Sequence, residues 1–171
     1  MKHQKVESKA QSSTKIKNSE IEAKKRNSNE IAEDNKKCEN SIETLCFLIN
    51  QKVEMIHKDF NPIAQGTPFF VRKEIKINLS EYLENLRHFF LKGSEFVLEQ
   101  TVRLFLEVCK NKREIVHKQT LHRILGICGI IVAKYCFDGF NPQGFNSFLG
   151  VNKKKLPEME FYIFIDVLYG R

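Results

Sequence analysis

Five histidines and five cysteines are the side chains of this 171-residue chain best suited to metal ligation or to acid–base and nucleophilic chemistry. Their spacing points to none of these. Cys38, Cys46, Cys109, Cys128 and Cys136 are odd in number and include no Cys-x-x-Cys pair, whereas zinc sites use close, paired ligands. His3, His57, His88, His117 and His122 form no metal-ligand set, and no Gly-rich phosphate loop or Ser/Cys–His–Asp constellation can be assembled. No catalytic residue, metal or cofactor is therefore expected, and His122 reads as a packed residue rather than a base. What remains is charge in unusual places. In "LHRILGICGIIVAKYCFDGF", Ile124–Ala133 is uncharged and would be apolar all round a helix, and Lys134 follows it directly. In "NKKKLPEMEF", Lys153, Lys154 and Lys155 crowd the turn that should open a helix, where free amides already carry positive partial charge.

Both features have plain explanations. A lysine in the last turns of a helix gains about 0.3–1 kcal/mol from the dipole, and its stem can snorkel to water. The lysine run is harmless if its helix begins near Leu156, with Pro157 in the first turn and the lysines in a solvated loop. The functional alternative is an anion site for a phosphate group, formed by Lys153, Lys154, Lys155 and the free amides.

The elements that must position these residues read as helices throughout. "SIETLCFLINQKVEMIHK" repeats apolar residues at Ile42, Leu45, Cys46, Ile49, Val53 and Ile56, which predicts a helix over about 41–58. Asn61-Pro62, Gly66 and Pro68 then mark a loop. Asn78 followed by Glu81 is a capping-box-like start, with an apolar stripe of Leu79, Tyr82, Leu83, Leu86, Phe89 and Phe90 and a stop at Gly93. Ser94 caps the next helix, with the stripe Phe96, Val97, Val102, Phe105, Leu106 and Cys109. Leu121 onward is the third of this series and, being apolar on every side, the central one. Asn141-Pro142 predicts a short fourth helix through Phe148. Leu156 onward supplies a fifth, in which Pro157 delays or kinks the start and "YIFIDVLY" is ambiguous between helix and strand. The expectation is an all-α bundle of five helices over about 78–171, wrapped round a central helix, behind one N-terminal helix.

Residues 1–37 differ in kind. They contain no aromatic residue, ten Lys/Arg and six Asp/Glu, a net +4 (10 − 6) of the chain's +7. Such a segment cannot bury enough apolar surface to offset its ordering entropy, so it is read as a disordered basic arm before a domain at 38–171. Lys24-Lys25-Arg26 with Lys36-Lys37 could form a weak nuclear signal. No secretory leader is visible and no apolar run approaches the roughly 20 residues needed to span a bilayer. The cysteines, with Cys128 and Cys136 among aliphatics, read as reduced thiols rather than disulfides. The expected compartment is intracellular, cytoplasm or nucleus or both.

The layout and its residues together resemble the cyclin box, more narrowly that of the P/U-type, phosphate-regulatory cyclins. "LHRILGICGIIVAKYCFD" is similar to the family's "VHRLLLTSVMVAAKFxDD", with His122, Arg123, Ala133, Lys134 and Asp138 on family positions. "INLSEYLENL" resembles "ISIEEYLERI", and "SEFVLEQ" resembles "SCFVLAL". "FNSFLGVNKKKLPEMEF" resembles "YAKVGGVSLEELNRLEL" and places Glu160 on the family's glutamate. The resemblance covers about 40–171 and implies a non-catalytic regulatory subunit that binds, and by that activates, a cyclin-dependent protein kinase. It implies that Lys134 and Glu160 lie together at the kinase interface, near the kinase's regulatory helix. A lysine at a buried interface costs several kcal/mol unless paired, which is what Glu160 and kinase carbonyls would do.

The chain also departs from the family. Leu104 and Phe105 stand where the second helix normally carries Asp-Arg, and the "MRxILxDW" substrate-docking patch is absent. P/U-type cyclins normally continue beyond the position of Arg171, so either a minimal single box or a missing C-terminal piece is expected. Two alternatives follow: a cyclin-fold scaffold, or pseudo-cyclin, that does not activate a kinase, and a cyclin-fold transcription factor that binds nucleic acid. The second is disfavoured because only Lys153–Lys155 and the Lys110–Arg113 end cluster basic residues in the folded part.

Overall fold

The computed structural model describes residues 41–59, 66–71 and 77–169. The chain divides into two units, Met1–Ser41 and Ile42–Arg171, and the basic arm of residues 1–37 lies outside the described residues, as does Cys38. Among the described residues there are six α-helices and no strand, so the all-α class holds.

Helix α1 spans 41–59, one residue beyond the sequence expectation, and buries Ile42, Leu45, Ile49, Val53 and Ile56. These are the positions that its 3.6-residue apolar spacing selects. Helix α2, Leu79–Asn85, starts where the Asn78 side chain accepts the Glu81 amide at 2.8 Å. Its continuation, Leu86–Phe90, is a π-helical turn in which the Leu91 amide reaches the Leu86 carbonyl at 3.1 Å. That extra residue in the turn rotates the register. Leu91 enters the core and Phe89, expected in the apolar stripe, is exposed. Lys92 and Gly93 then reverse the chain with φ of 52° and 72°.

Helix α3, Glu95–Asn111, begins at Ser94, whose Oγ accepts the Val97 amide at 3.3 Å. It buries Val97, Leu98, Thr101, Val102, Phe105, Val108 and Cys109. Phe96 is exposed and Leu106 only half-buried, so the stripe is rotated from the expected one. Thr101 sits in the core because its hydroxyl donates to the Val97 carbonyl at 2.8 Å.

Helix α4, Leu121–Cys136, is buried on nearly all sides and packs against α3 and against α6, Leu156–Phe161. Close approach is possible because Gly126 has no Cβ. One added there would overlap Leu149 and lie 2.8 Å from the Tyr82 hydroxyl. Cys128 is fully buried within it, but Cys136, expected among aliphatics, is exposed where the helix surfaces.

The short α5, Phe145–Phe148, starts after Gly144 at φ 88° rather than at Pro142. Pro142 instead lies in the preceding turn, its carbonyl accepting the Phe145 amide at 3.1 Å. The left-handed glycine aims Phe145 into the core, where its ring lies 4.1 Å from that of Phe90. Helix α6 begins at Leu156 with Pro157 in its first turn, as the loop reading of the lysine run anticipates. It continues as a π-helix over Tyr162–Tyr169, which settles "YIFIDVLY" as helical.

Candidate functional site

Lys134 lies in the last turn of α4, and Glu160 lies on α6, 26 residues later. Packing of α6 on α4 brings their side chains together: the Lys134 ammonium donates to Glu160 Oε2. The glutamate side chain is 17% exposed and the lysine 43%, so the pair sits at a lip, with its acid inward and its cation towards solvent. An ammonium has three donors. One goes to Glu160, and the others remain for acceptors that do not come from the described residues.

The surface beside this pair is apolar. A groove of about 380 Å³ lies between α4 and α6, lined by Ile131, Tyr135, Pro157, Phe161 and Phe164 together with the ion pair. Tyr135 is 73% exposed and Phe161 65%. Large aromatic rings left in water around one charge pair are characteristic of a surface that another molecule covers. Tyr135 also borders a second groove, of about 640 Å³, between α3 and α4, with Arg103, Leu104, Glu107, Val132 and Cys136. At the two positions where the family carries Asp-Arg, Phe105 is fully buried and Leu104 half-buried.

Arg123, in the first turn of α4, is occupied differently. Its Nε donates to the Leu149 carbonyl at 3.0 Å, Nη1 to Phe70 at 2.6 Å and Nη2 to Gly150 at 2.6 Å. Three backbone carbonyls from two separate segments thus converge on one guanidinium, and burial holds its pKa below the usual arginine value. Sequence reasoning placed Arg123 on a family position but gave it no role; only the spatial arrival of Phe70 and Gly150 reveals one. Beside it, His122 stacks edge-on against Tyr82 at 4.6 Å, and both its ring nitrogens are buried without a hydrogen-bond partner among the described residues. Burial lowers its pKa, so it stays neutral as a packed ring.

Lys153–Lys155 form an exposed 3₁₀ turn ahead of α6. Two of its amides are already engaged: Asn152 Oδ1 accepts from Lys154 at 3.0 Å and the Asn152 carbonyl from Lys155 at 2.8 Å. An anion there would rely mainly on the lysine side chains.

The buried thiols are inert by environment. Burial pushes Cys109 up to about 12 and Cys128 higher still. Cys46, half-buried, is raised by burial against a lowering hydrogen bond with Ser80. Among the described residues no three His, Cys, Asp or Glu side chains cluster as metal ligands, no disulfide forms, and no helix is long and apolar enough to cross a membrane. Compared with protein-family models, curated proteins and solved structures, the chain finds no match in any of the three.

Proposed function

We propose that this chain is a non-catalytic regulatory subunit whose cyclin-box-like helices bind, and thereby activate, a cyclin-dependent protein kinase. The observation that carries this reading is the Lys134–Glu160 ion pair at the edge of an exposed apolar groove. The pair joins the two residues that the resemblance singles out, and they come from helices far apart in sequence. In this reading the groove beside Tyr135 and Phe161 receives a helix of the kinase, and the remaining donors of Lys134 meet kinase carbonyls. The complex forms inside the cell, in cytoplasm or nucleus, where the free thiols stay reduced.

Affinity purification of the full chain from its native cells, with a kinase assay of the eluate, tests the partner. Lys134→Ala and Glu160→Ala should each weaken that association by about 2–5 kcal/mol, the cost of leaving one interfacial charge unpaired. The melting temperature of the free chain should hardly move. Unchanged kinase binding with a sharply lower melting temperature would reduce the pair to an internal brace.

A scaffold that binds a kinase without activating it is the second reading. It is favoured by Leu104 and Phe105, which put apolar packing where the family has a polar support. Co-purification of a kinase with no gain in its activity would select it. The nucleic-acid reading gains nothing from the structure: Lys110 and Lys112, in the basic end of α3, lie 3.9 Å from Glu107 and 4.0 Å from Glu114.

A further inference from the structure

Away from the groove, two titratable rings meet in a contact that the proposed function does not use. His57 lies in the last turn of α1 and His117 in the turn that precedes α4. Their ring centroids are 5.3 Å apart, tilted by 36°, and both residues are half-buried. Nε2 of His57 is buried with no hydrogen-bond partner among the described residues. Nδ1 of His117 accepts the Gln119 amide at 3.2 Å, so it must keep its lone pair, and the neutral ring carries its proton on Nε2. The same turn builds the start of α4. Thr120 Oγ1 accepts the His117 amide at 2.9 Å and donates to the Ile115 carbonyl at 2.6 Å. The His117 carbonyl in turn accepts the Thr120 and Leu121 amides, each at 2.9 Å.

The surroundings of this pair oppose a proton. Burial first, then the His57 ring and Lys118, hold His117 below the usual imidazole range. The start of α4 adds the positive end of a helix dipole. The other charges on these segments do not compensate. Glu54, one turn before His57, and Lys58 and Asp59 beside it are exposed, and neither acid forms an ion pair with His57 among the described residues; Lys52 acts on Cys109, Arg113 is exposed, and Glu114 lies 4.0 Å from Lys112.

We propose that the His57–His117 contact is an acid-sensitive clasp, which holds the end of α1 against the turn that starts α4 while the His117 ring is neutral and opens when that ring is protonated. The folded-state pKa of His117 lies below its unfolded one, so the unfolded chain binds the proton first. The clasp therefore contributes fully above an unfolded value of about 6.5 and weakens as pH falls through that value towards the lower folded one.

Imidazole proton resonances of the full chain, followed through a pH titration, read the clasp directly. Hydrogen exchange of residues 50–59 at about pH 7.5 and about pH 5.5, corrected for intrinsic rates, reads its opening. Acid should cost these amides protection severalfold, up to the limit of about tenfold that an exposed imidazole of about 6.5 sets at about pH 5.5. His117→Asn keeps an oxygen acceptor for the Gln119 amide, and His57→Phe keeps the ring. Together they leave no imidazole in the contact, and the acid loss should then fall below about twofold. Equal acid loss in the native and doubly substituted chains would overturn the proposal. So would a His117 resonance that titrates at or above the usual imidazole range, a result that needs no variant and stands even if the substitutions prevent folding.

Discussion

Helix α4 carries two cations near its ends, and they are used in opposite ways. Arg123 gives its guanidinium to three backbone carbonyls from elsewhere in the chain and is partly withdrawn from water. Lys134 meets a single carboxylate, is about half-exposed, and stands beside exposed aromatic rings. A cation bound to three carbonyls of its own backbone is a structural tie. One with donors to spare, next to an uncovered apolar groove, is suited to a partner. Formal charge and helix are the same; the number of acceptors the chain itself delivers makes the difference.

Stability measurements can break that contrast. Arg123→Ala should cost about 2–4 kcal/mol, because three carbonyls lose a charged donor at once. Arg123→Lys should recover less than half of it, since an ammonium lacks the planar fork that reaches carbonyls of two segments. Chemical denaturation reads both, and an Arg123→Ala loss below that of Lys134→Ala would reverse the assignment of the two ends.

Next in size is Gly126→Ala. The added methyl would overlap Leu149 and crowd the Tyr82 hydroxyl, so a loss of about 1–3 kcal/mol is expected. Gly129→Ala should be the milder of the two, because its nearest contact there, the Leu86 side chain, is at an ordinary 3.4 Å. Equal losses would mean that α4 shifts freely between its neighbours and does not hold its two cations in place.

Lys134→Ala should then change the stability of the free chain by about 0–1 kcal/mol, as for other half-exposed ion pairs, and added salt should shrink even that. The smallest effect belongs to the lysine run. Replacing Lys153, Lys154 and Lys155 by alanine should leave stability within about 0.5 kcal/mol. Titration with phosphate and inositol polyphosphates should give no stability gain in the native chain at about millimolar ligand, where a site of that affinity would begin to register. A gain abolished by the triple substitution would instead identify an anion site.

Legibility in the sequence followed locality. The starts at Asn78 and Ser94 and the delay of α6 to Leu156 were readable, because each depends on a side chain bonding an amide two or three residues away or on a proline's missing one. The rotated stripes were not: Phe89 and Phe96 are aromatic at helical spacing, yet a π-helical turn over Leu86–Phe90 sends Leu91 inward in place of Phe89. Nothing local distinguishes a π turn from an α turn. The start of α5 was misplaced for a similar reason, since Asn141-Pro142 suits a helix start, but the turn ending at Gly144 places the Phe145 ring against Phe90.

For the candidate site, the sequence by itself determined that Lys134 would interrupt a helix apolar on all sides and that Glu160 would follow Pro157 on another helix. Only the tertiary structure decided that α6 packs on α4 so that these two charges meet, that Tyr135 and Phe161 are left exposed around them, and that His57 reaches His117. Helical periodicity reports which face of a helix is apolar, because that depends on residues three and four apart. Which helix covers that face, and which part is left for a partner, depends on contacts between residues tens of positions apart, which no local pattern encodes.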